Sequence, residues 1–365
     1  MGVKEGTAVL THKSPLVIAL PMSLEFRKVV EKGKILDPSS SFEEKEVWVQ
    51  IRWDPVTGQT VRIIQELGGS SGLAPEEVFK AGIEGFCPFC PDKVEGLTPA
   101  FPPYFLRDNR VKRGEAVLFP NLRPFDLISA VVVLGRDHFL RPKGLKLEVL
   151  LDGFSLARDF LKEVLSARDK GLYCYINWNF LPASGGSIVH PHIHAMAGRY
   201  PTNEMRGIEE GARGYYEATG RSIFLDLYKK EREVAERFLW EREGVAWFLS
   251  FAPRAPYDTA FIFLEERDFL EVSDNKLRVF LEDLKKVLEF YEDKGFCSFN
   301  LVLYGRSASQ EEYFRVYGRV VGRRFLNSWF TSDINAFQLL HHEPVVGVLP
   351  EEARKEMVSV FKGQG

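Results

Sequence analysis

Apolar and polar positions alternate in the run Val47-Trp48-Val49-Gln50-Ile51-Arg52-Trp53, and a period of two in β-branched and aromatic residues predicts a strand from Glu46 onward. Asp54-Pro55-Val56-Thr57-Gly58 then reads as a turn into a second strand over 60–64, so this stretch predicts a hairpin. Pro15, Pro21 and Pro38, the last followed by Ser39-Ser40-Ser41, mark residues 1–45 as an N-terminal extension. Further along, Val131-Val132-Val133-Leu134 and Tyr173-Cys174-Tyr175-Ile176-Asn177-Trp178 predict strands, and between them 145–167 repeats its apolar positions at helical spacing.

The same order returns later in the chain. Pro124-Phe125-Asp126 before the 131–134 strand resembles Pro256-Tyr257-Asp258 before Phe261-Ile262-Phe263-Leu264. Asp169-Lys170-Gly171, which opens an aromatic strand, returns 124 residues later as Asp293-Lys294-Gly295. Such self-similarity points to an internal duplication. Where the first copy runs on into His190-Pro191-His192-Ile193-His194, the second runs at the same offset into Phe314-Arg315-Val316-Tyr317-Gly318, without a histidine.

Composition narrows the class. With 48 Lys+Arg against 51 Asp+Glu the net charge is −3, which argues against a non-specific binder of nucleic acid or anionic membranes. The apolar run 15–22 is far short of the roughly 20 residues a membrane helix needs and lacks a signal-peptide pattern, so the expectation is a soluble, cytoplasmic protein. Two of the four cysteines, Cys87 and Cys90, form C-x-x-C, which in a reducing compartment points to metal or redox chemistry.

Three of the seven histidines fall in five positions. In a strand His190, His192 and His194 share a face, a row that is costly to bury without a purpose. Two arrangements are open. All three could bind one zinc with an open position for water, as hydrolytic sites do. Alternatively one of them joins Cys87, Cys90 and the distant His138, 48 residues after Cys90, in a closed structural zinc site, leaving another free to attack. Upstream, Asn179-Phe180-Leu181-Pro182-Ala183-Ser184-Gly185-Gly186-Ser187 offers glycines and hydroxyls that suit a phosphate cradle beside His192.

Together these blocks resemble the galactose-1-phosphate uridylyltransferase family of the histidine triad superfamily, over most of the chain from about Arg52. Arg52-Trp53-Asp54-Pro55-Val56-Thr57-Gly58 is similar to its R-x-D-P-x-T-G motif, and Cys87-Pro88-Phe89-Cys90-Pro91 to its zinc motif. Phe119-Pro120-Asn121 is similar to its F-P-N block, which contacts the nucleotide. Gly185-Gly186-Ser187 with His190-Pro191-His192 resembles its G-x-S-x-x-H-P-H active site, and Leu349-Pro350-Glu351-Glu352-Ala353 more loosely its P-E-E-A block.

The resemblance implies an α+β fold of two fused histidine-triad-like repeats, antiparallel sheets with helices packed on one side. On this reading residues 46–205 would form the repeat with the zinc and catalytic motifs and 206–365 a degenerate one, and the resemblance implies that two chains pair as a homodimer. It implies zinc on Cys87, Cys90, His138 and His190. His192 is then the nucleophile that takes a nucleotidyl group from a nucleotide sugar and hands it to a sugar phosphate or phosphate, with its reactive lone pair set by a hydrogen bond from the other ring nitrogen to a backbone carbonyl. Ser187 and the Gly185 and Gly186 amides would hold the non-bridging oxygens, Asn179 the phosphate, and Asn121 the base or ribose, with Arg52 a further substrate contact. The transferases carry Gln two residues after the nucleophile, where this chain has His194, similar to the hydrolase branches. A phosphorylase or hydrolase of ADP-glucose or dinucleoside polyphosphates, or a zinc-stabilised nucleotide-binding protein, therefore stands beside transfer. Of the remaining clusters, His341-His342-Glu343 has adjacent side chains that a strand would point apart, and Arg323-Arg324 could reach a sugar phosphate.

Overall fold

The computed structural model describes residues 24–64, 80, 82–106, 108–166, 171–306, 311–324 and 333–362; Pro15, Pro21, Ala167, Asp169 and Lys170 lie outside them. The predicted hairpin is present. Strand β1 (Lys28–Asp37) pairs antiparallel with β2 (Glu43–Trp53), and β2 with β3 (Thr60–Ile64). The β2–β3 turn owes its shape to Asp54, whose Oδ1 accepts the amides of Val56 and Thr57, each at 3.0 Å, while Gly58 takes the left-handed φ of +71° that closes it. Only one carboxylate oxygen is spent on the turn.

A second sheet forms the body. Its first half is β4 (Val111–Arg113), β5 (Ala116–Pro120), β6 (Ile128–Val133), β7 (Tyr173–Phe180) and β8 (His192–Gly198). Its second half is β9 (Phe238–Arg242), β10 (Val245–Leu249), β11 (Thr259–Phe263), β12 (Ser298–Arg306) and β13 (Tyr317–Arg323). The ten strands run in the order β4-β5-β6-β8-β7-β12-β13-β11-β10-β9, which reads alike from both ends. Two antiparallel five-stranded repeats thus meet at the β7–β12 pair. The short strand β14 (Val345–Val346) returns to pair with β3.

Helix α1 (Leu147–Ser166) and helix α4 (Asp274–Asp293), each 20 residues, lie together on one face of this sheet. Their apolar stripes, with Phe154, Leu161, Phe280 and Leu284 among them, close a core with Trp178, Phe261 and Phe299 from the strands. The opposite face is divided. Helix α2 (Asn203–Thr219) and helix α3 (Ile223–Val234) cover its second half through Met205, Ile208 and Phe224 against Ile262 and Tyr317. The Cys87-to-Val94 segment covers part of its first half through Phe89 and Val94 against Phe119, Val131 and Val133. Helix α5 (Pro350–Lys362) starts at the P-E-E-A block. Among the described residues no helix is long and apolar enough to cross a membrane.

The register corrects the spacing read from the sequence. Asn177 on β7 pairs with Val302 on β12; in the same row His194 pairs with Asn177 on one side and Arg319 with Val302 on the other. Strands β8 and β13, each seven residues, start 125 residues apart, at 192 and 317. The 124-residue offset of the Asp-Lys-Gly landmarks sits in helix–strand connections, and carrying it into the strands slips them by one, which exchanges the two faces. His192 and His194 therefore correspond to Tyr317 and Arg319, not to Val316 and Gly318.

Candidate active site

The C-x-x-C loop, the segment after β6 and the start of β8 bring Cys87, Cys90, His138 and His190 together, with their ligand atoms all within 4.8 Å of one another. Cys87 Sγ is 3.9 Å from His190 Nδ1, and Cys90 Sγ is 3.5 Å from His138 Nδ1. Sulfur and nitrogen at about 2.3 and 2.0 Å from a tetrahedral ion stand roughly 3.5 Å apart, so the donor set fits a closed four-coordinate metal. The far nitrogens agree. His138 Nε2 lies 3.0 Å from the Gly82 carbonyl and His190 Nε2 2.8 Å from the Gly135 carbonyl, and carbonyls only accept, so each Nδ1 bears the lone pair facing the cluster. Burial pushes the Cys87 thiol up, so its thiolate is stable only beside a cation. The cysteines are free thiols, and among the described residues no other group of three or more such donors converges. This removes the zinc site made of the three-histidine row. His190 precedes β8 and turns to the cysteines, so the shared face is left to His192 and His194, with ring centroids 5.3 Å apart.

His192 is 6% exposed, and its Nδ1 lies 2.8 Å from the carbonyl oxygen of His190. The carbonyl needs a proton from Nδ1, which leaves the lone pair on Nε2. Burial pushes the imidazole down to about 4, with His194 and His190 adding to the effect against the pull of that carbonyl. At neutral pH the ring is uncharged and nucleophilic. Phe89, from between the two cysteines, meets the His192 ring edge-on at 5.2 Å and Phe119 at 5.4 Å, so the metal loop also seats the imidazole. His194 is likewise pushed down by burial; its Nδ1 is buried without a hydrogen-bond partner among the described residues, and the Phe125 ring centroid lies 6.1 Å from its own.

The loop between β7 and β8 differs from expectation. Gly185 donates its N–H to Pro182 O at 2.9 Å and Gly186 donates to Leu181 O at 3.3 Å, so both amides close the turn and neither is offered to a phosphate. Their glycine identity is steric and conformational: Gly185 has a φ of +89°, and a Cβ on Gly186 would lie 2.8 Å from the Asn179 carbonyl oxygen. Ser187 is exposed at the end of this turn. Asn179 stands two residues along β7 from Asn177, which pairs with His194. Asn121 follows β5, where its Oδ1 accepts the Arg123 amide and its Nδ2 donates to Ser129 Oγ.

Arg52 is the clear misplacement. It is 1% exposed, and its guanidinium is spent on Glu351 at 2.8 and 3.0 Å, on Gln50 Oε1 at 2.9 and 3.2 Å and on Phe251 O at 3.2 Å. No N–H is left for a substrate. Arg52 instead joins the R-x-D-P motif to the P-E-E-A block. Glu343 pairs with Arg62 and does not join His341 and His342, both exposed, in a metal group. Arg323, singled out in the sequence, bonds to Asn300 and Asp333, and Asn300, which bonds to Asn179 on β7, carried one usable signal: asparagine is depleted in strand interiors, yet Asn177, Asn179 and Asn300 all sit in them.

No family model matches the chain. A protein of Archaeoglobus fulgidus described as uncharacterized is 32% identical over 342 residues, 93% of this chain and 99% of that one. Among solved structures, a GalT-like protein from Arabidopsis thaliana has a TM-score of 0.66 at 18% identity, with 85% of this chain and 98% of that chain covered. An ADP-glucose phosphorylase from Arabidopsis thaliana with bound ADP-glucose has a TM-score of 0.66 at 17% identity and the same coverage. A uridylyltransferase has 0.63 at 17%, covering 86% of this chain and 99% of that one. The chain belongs to the family of the Archaeoglobus protein, and its architecture is the fold of the GalT-like protein, the ADP-glucose phosphorylase and the uridylyltransferase.

Proposed function

We propose that the chain is a nucleotidyl-transferring enzyme that works through a covalent intermediate on His192. The observation that carries this reading is the buried, neutral imidazole with Nδ1 tied to the His190 carbonyl and Nε2 without a hydrogen bond among the described residues. Nε2 attacks the α-phosphorus of a nucleotide sugar, the bond from phosphorus to the leaving sugar-phosphate oxygen breaks, and the nucleotidyl group rests on the imidazole. An acceptor oxygen then attacks the same phosphorus and frees Nε2. Nδ1 keeps its proton throughout, and the His190 carbonyl stabilises the positive charge the ring acquires. The exposed hydroxyl of Ser187 supports contact to non-bridging oxygens, and Asn121 and the Asn179 amide to the nucleotide. Cys87, Cys90, His138 and His190 would hold zinc, which suits two thiolates and two imidazoles and would supply folding energy rather than chemistry.

The acceptor is where a second reading enters. His194 stands beside His192 with a buried nitrogen that has no partner among the described residues, and burial lowers its affinity for protons, which favours the neutral ring. A neutral imidazole there suits inorganic phosphate or water as acceptor, and structural likeness to a phosphorylase as well as a uridylyltransferase is compatible with both.

Isotope exchange tests the covalent step without knowing the acceptor. With UDP-glucose or ADP-glucose as donor, labelled glucose 1-phosphate should enter the donor pool in the absence of any second substrate. Exchange absent for every donor that the protein consumes would exclude the intermediate.

A further inference from the structure

Three residues of the second repeat reach the side of β7 that bears Asn179. Arg323, at the end of β13, is gripped by Asp333 through Nε at 2.9 and 3.1 Å and again through Nη2. Its Nη1 donates to Asn300 Oδ1 at 2.7 Å. Asn300 on β12, directly opposite Asn179, donates Nδ2 to Ser184 O at 2.9 Å and to Asn179 Oδ1 at 2.6 Å.

The chemistry of the two ends dictates the middle. A guanidinium only donates, so the Asn300 atom facing it is oxygen. The Ser184 carbonyl only accepts, so the atom facing it is the Asn300 nitrogen. That nitrogen's second hydrogen faces Asn179, whose oxygen must accept it. The Asn179 NH2 is therefore the group left over, without a protein partner among the described residues, on the strand that pairs with β8 beside the histidines. The same nitrogen of Asn300 pins the Ser184 carbonyl at the head of the Gly185-Gly186 turn.

We propose that Asn300, oriented by the Arg323–Asp333 pair, is a positioning residue that sets the polarity of Asn179 so that two N–H donors face the phosphate of a bound nucleotide. The assignment rests on the nucleotide reading above and adds that the second repeat, which has no histidine on β13, sets the donor side of the first repeat's site. It accounts for a charged residue at the end of β13 whose counterpart at the end of β8, by the 125-residue correspondence, is Gly198.

Equilibrium binding of AMP and UMP, with adenosine and uridine as phosphate-free controls, separates positioning from plain structure. Asn300→Asp puts oxygen where nitrogen stood, so Asn179 turns its NH2 toward the carboxylate and presents Oδ1 to the phosphate. Monophosphate binding should fall by about tenfold or more, since hydrogen bonds to a charged group are worth more than one decade, while nucleoside binding holds. Asn300→Ala, which removes the relay without reversing it, should lose less. Arg323→Ala should weaken monophosphate binding and Arg323→Lys should restore part of it. Equal losses for Asn300→Asp and Asn300→Ala, a parallel fall in nucleoside binding, or no rescue by lysine would overturn the relay. Failure of the unaltered protein to bind either monophosphate would overturn the nucleotide reading itself, a distinct result.

Discussion

His194 and Arg319 occupy one row of the ten-stranded sheet on either side of the β7–β12 joint, yet their surroundings differ in kind. On the first repeat, His192 meets the aromatic edge of Phe89 and His194 that of Phe125, and the His194 Nδ1 has no hydrogen-bond partner among the described residues. On the second, Arg319 bonds Asp258 at 3.0 Å, Tyr317 Oη at 2.7 Å and the free Oδ2 of Asp54. The hairpin turn 54–58 reaches into that face, and the Asp54 carboxylate left over from shaping the turn is what it brings. Burial opposes ionisation of Asp54, but Arg319, Arg254 and the amides of Thr57 and Val56 outweigh it and hold the carboxyl below its usual range. Duplicated scaffolds thus part ways by what covers equivalent rows: a Cys/His loop that seats an imidazole, or a turn whose carboxylate pairs with a buried arginine.

The comparison can be broken most severely at His192. His192→Ala should lower turnover by about 10⁴-fold or more while metal content and thermal midpoint hold, measured by assay, metal analysis and calorimetry on one preparation. Bracing by the metal loop is tested next: Cys87→Ser should weaken metal binding by at least about 10³-fold and lower activity with it, as Phe89 loses its seat on His192. A metal content of one per chain in that variant would remove the site. On the second repeat, Asp54→Ala strands Arg319 beside one carboxylate fewer and should cost about 3–5 kcal/mol in denaturant unfolding, with metal content unchanged.

The smallest effect is a pH dependence in the same charged region. Arg52 and Arg237 hold Glu351 down to about 2 from 4.5, against the opposing push of burial. The unfolded chain therefore takes up this proton first, and the stability Glu351 contributes, roughly 3 kcal/mol, is complete above pH 4.5 and lost as pH falls toward 2. The gap in stability between the unaltered protein and Glu351→Gln should close across that window; a gap that is flat with pH would refute the assignment.

Much of the site was legible because short-range chemistry writes short motifs. C-x-x-C pointed to metal chemistry and the family resemblance to His138 and His190 as its partners, a period of two gave the strands, and Asp-Pro-x-Thr-Gly gave its turn. Arg52 looks like a substrate contact in the sequence because its partner, Glu351, lies 299 residues away, and a conspicuous arginine in a motif looks the same whether it meets a ligand or a buried carboxylate. Gly185 and Gly186 look like amide donors in the sequence, but their N–H groups close the turn and their small size lets the chain make it. The one-residue slip between repeats, and with it the equivalence of histidines to Tyr317 and Arg319, could be seen only in the strand register, since matching connections do not fix which face a strand presents.

The central claim is that the free Nε2 of His192, and no other group, accepts the nucleotidyl moiety. Brief incubation with UDP-glucose, ADP-glucose, GDP-mannose and diadenosine tetraphosphate, an alkaline quench, and peptide mass mapping test it directly. The account predicts a single nucleoside monophosphate adduct on the peptide containing His192, absent from His192→Ala. An adduct on any other peptide, or turnover of a donor with no adduct at any time, would contradict it.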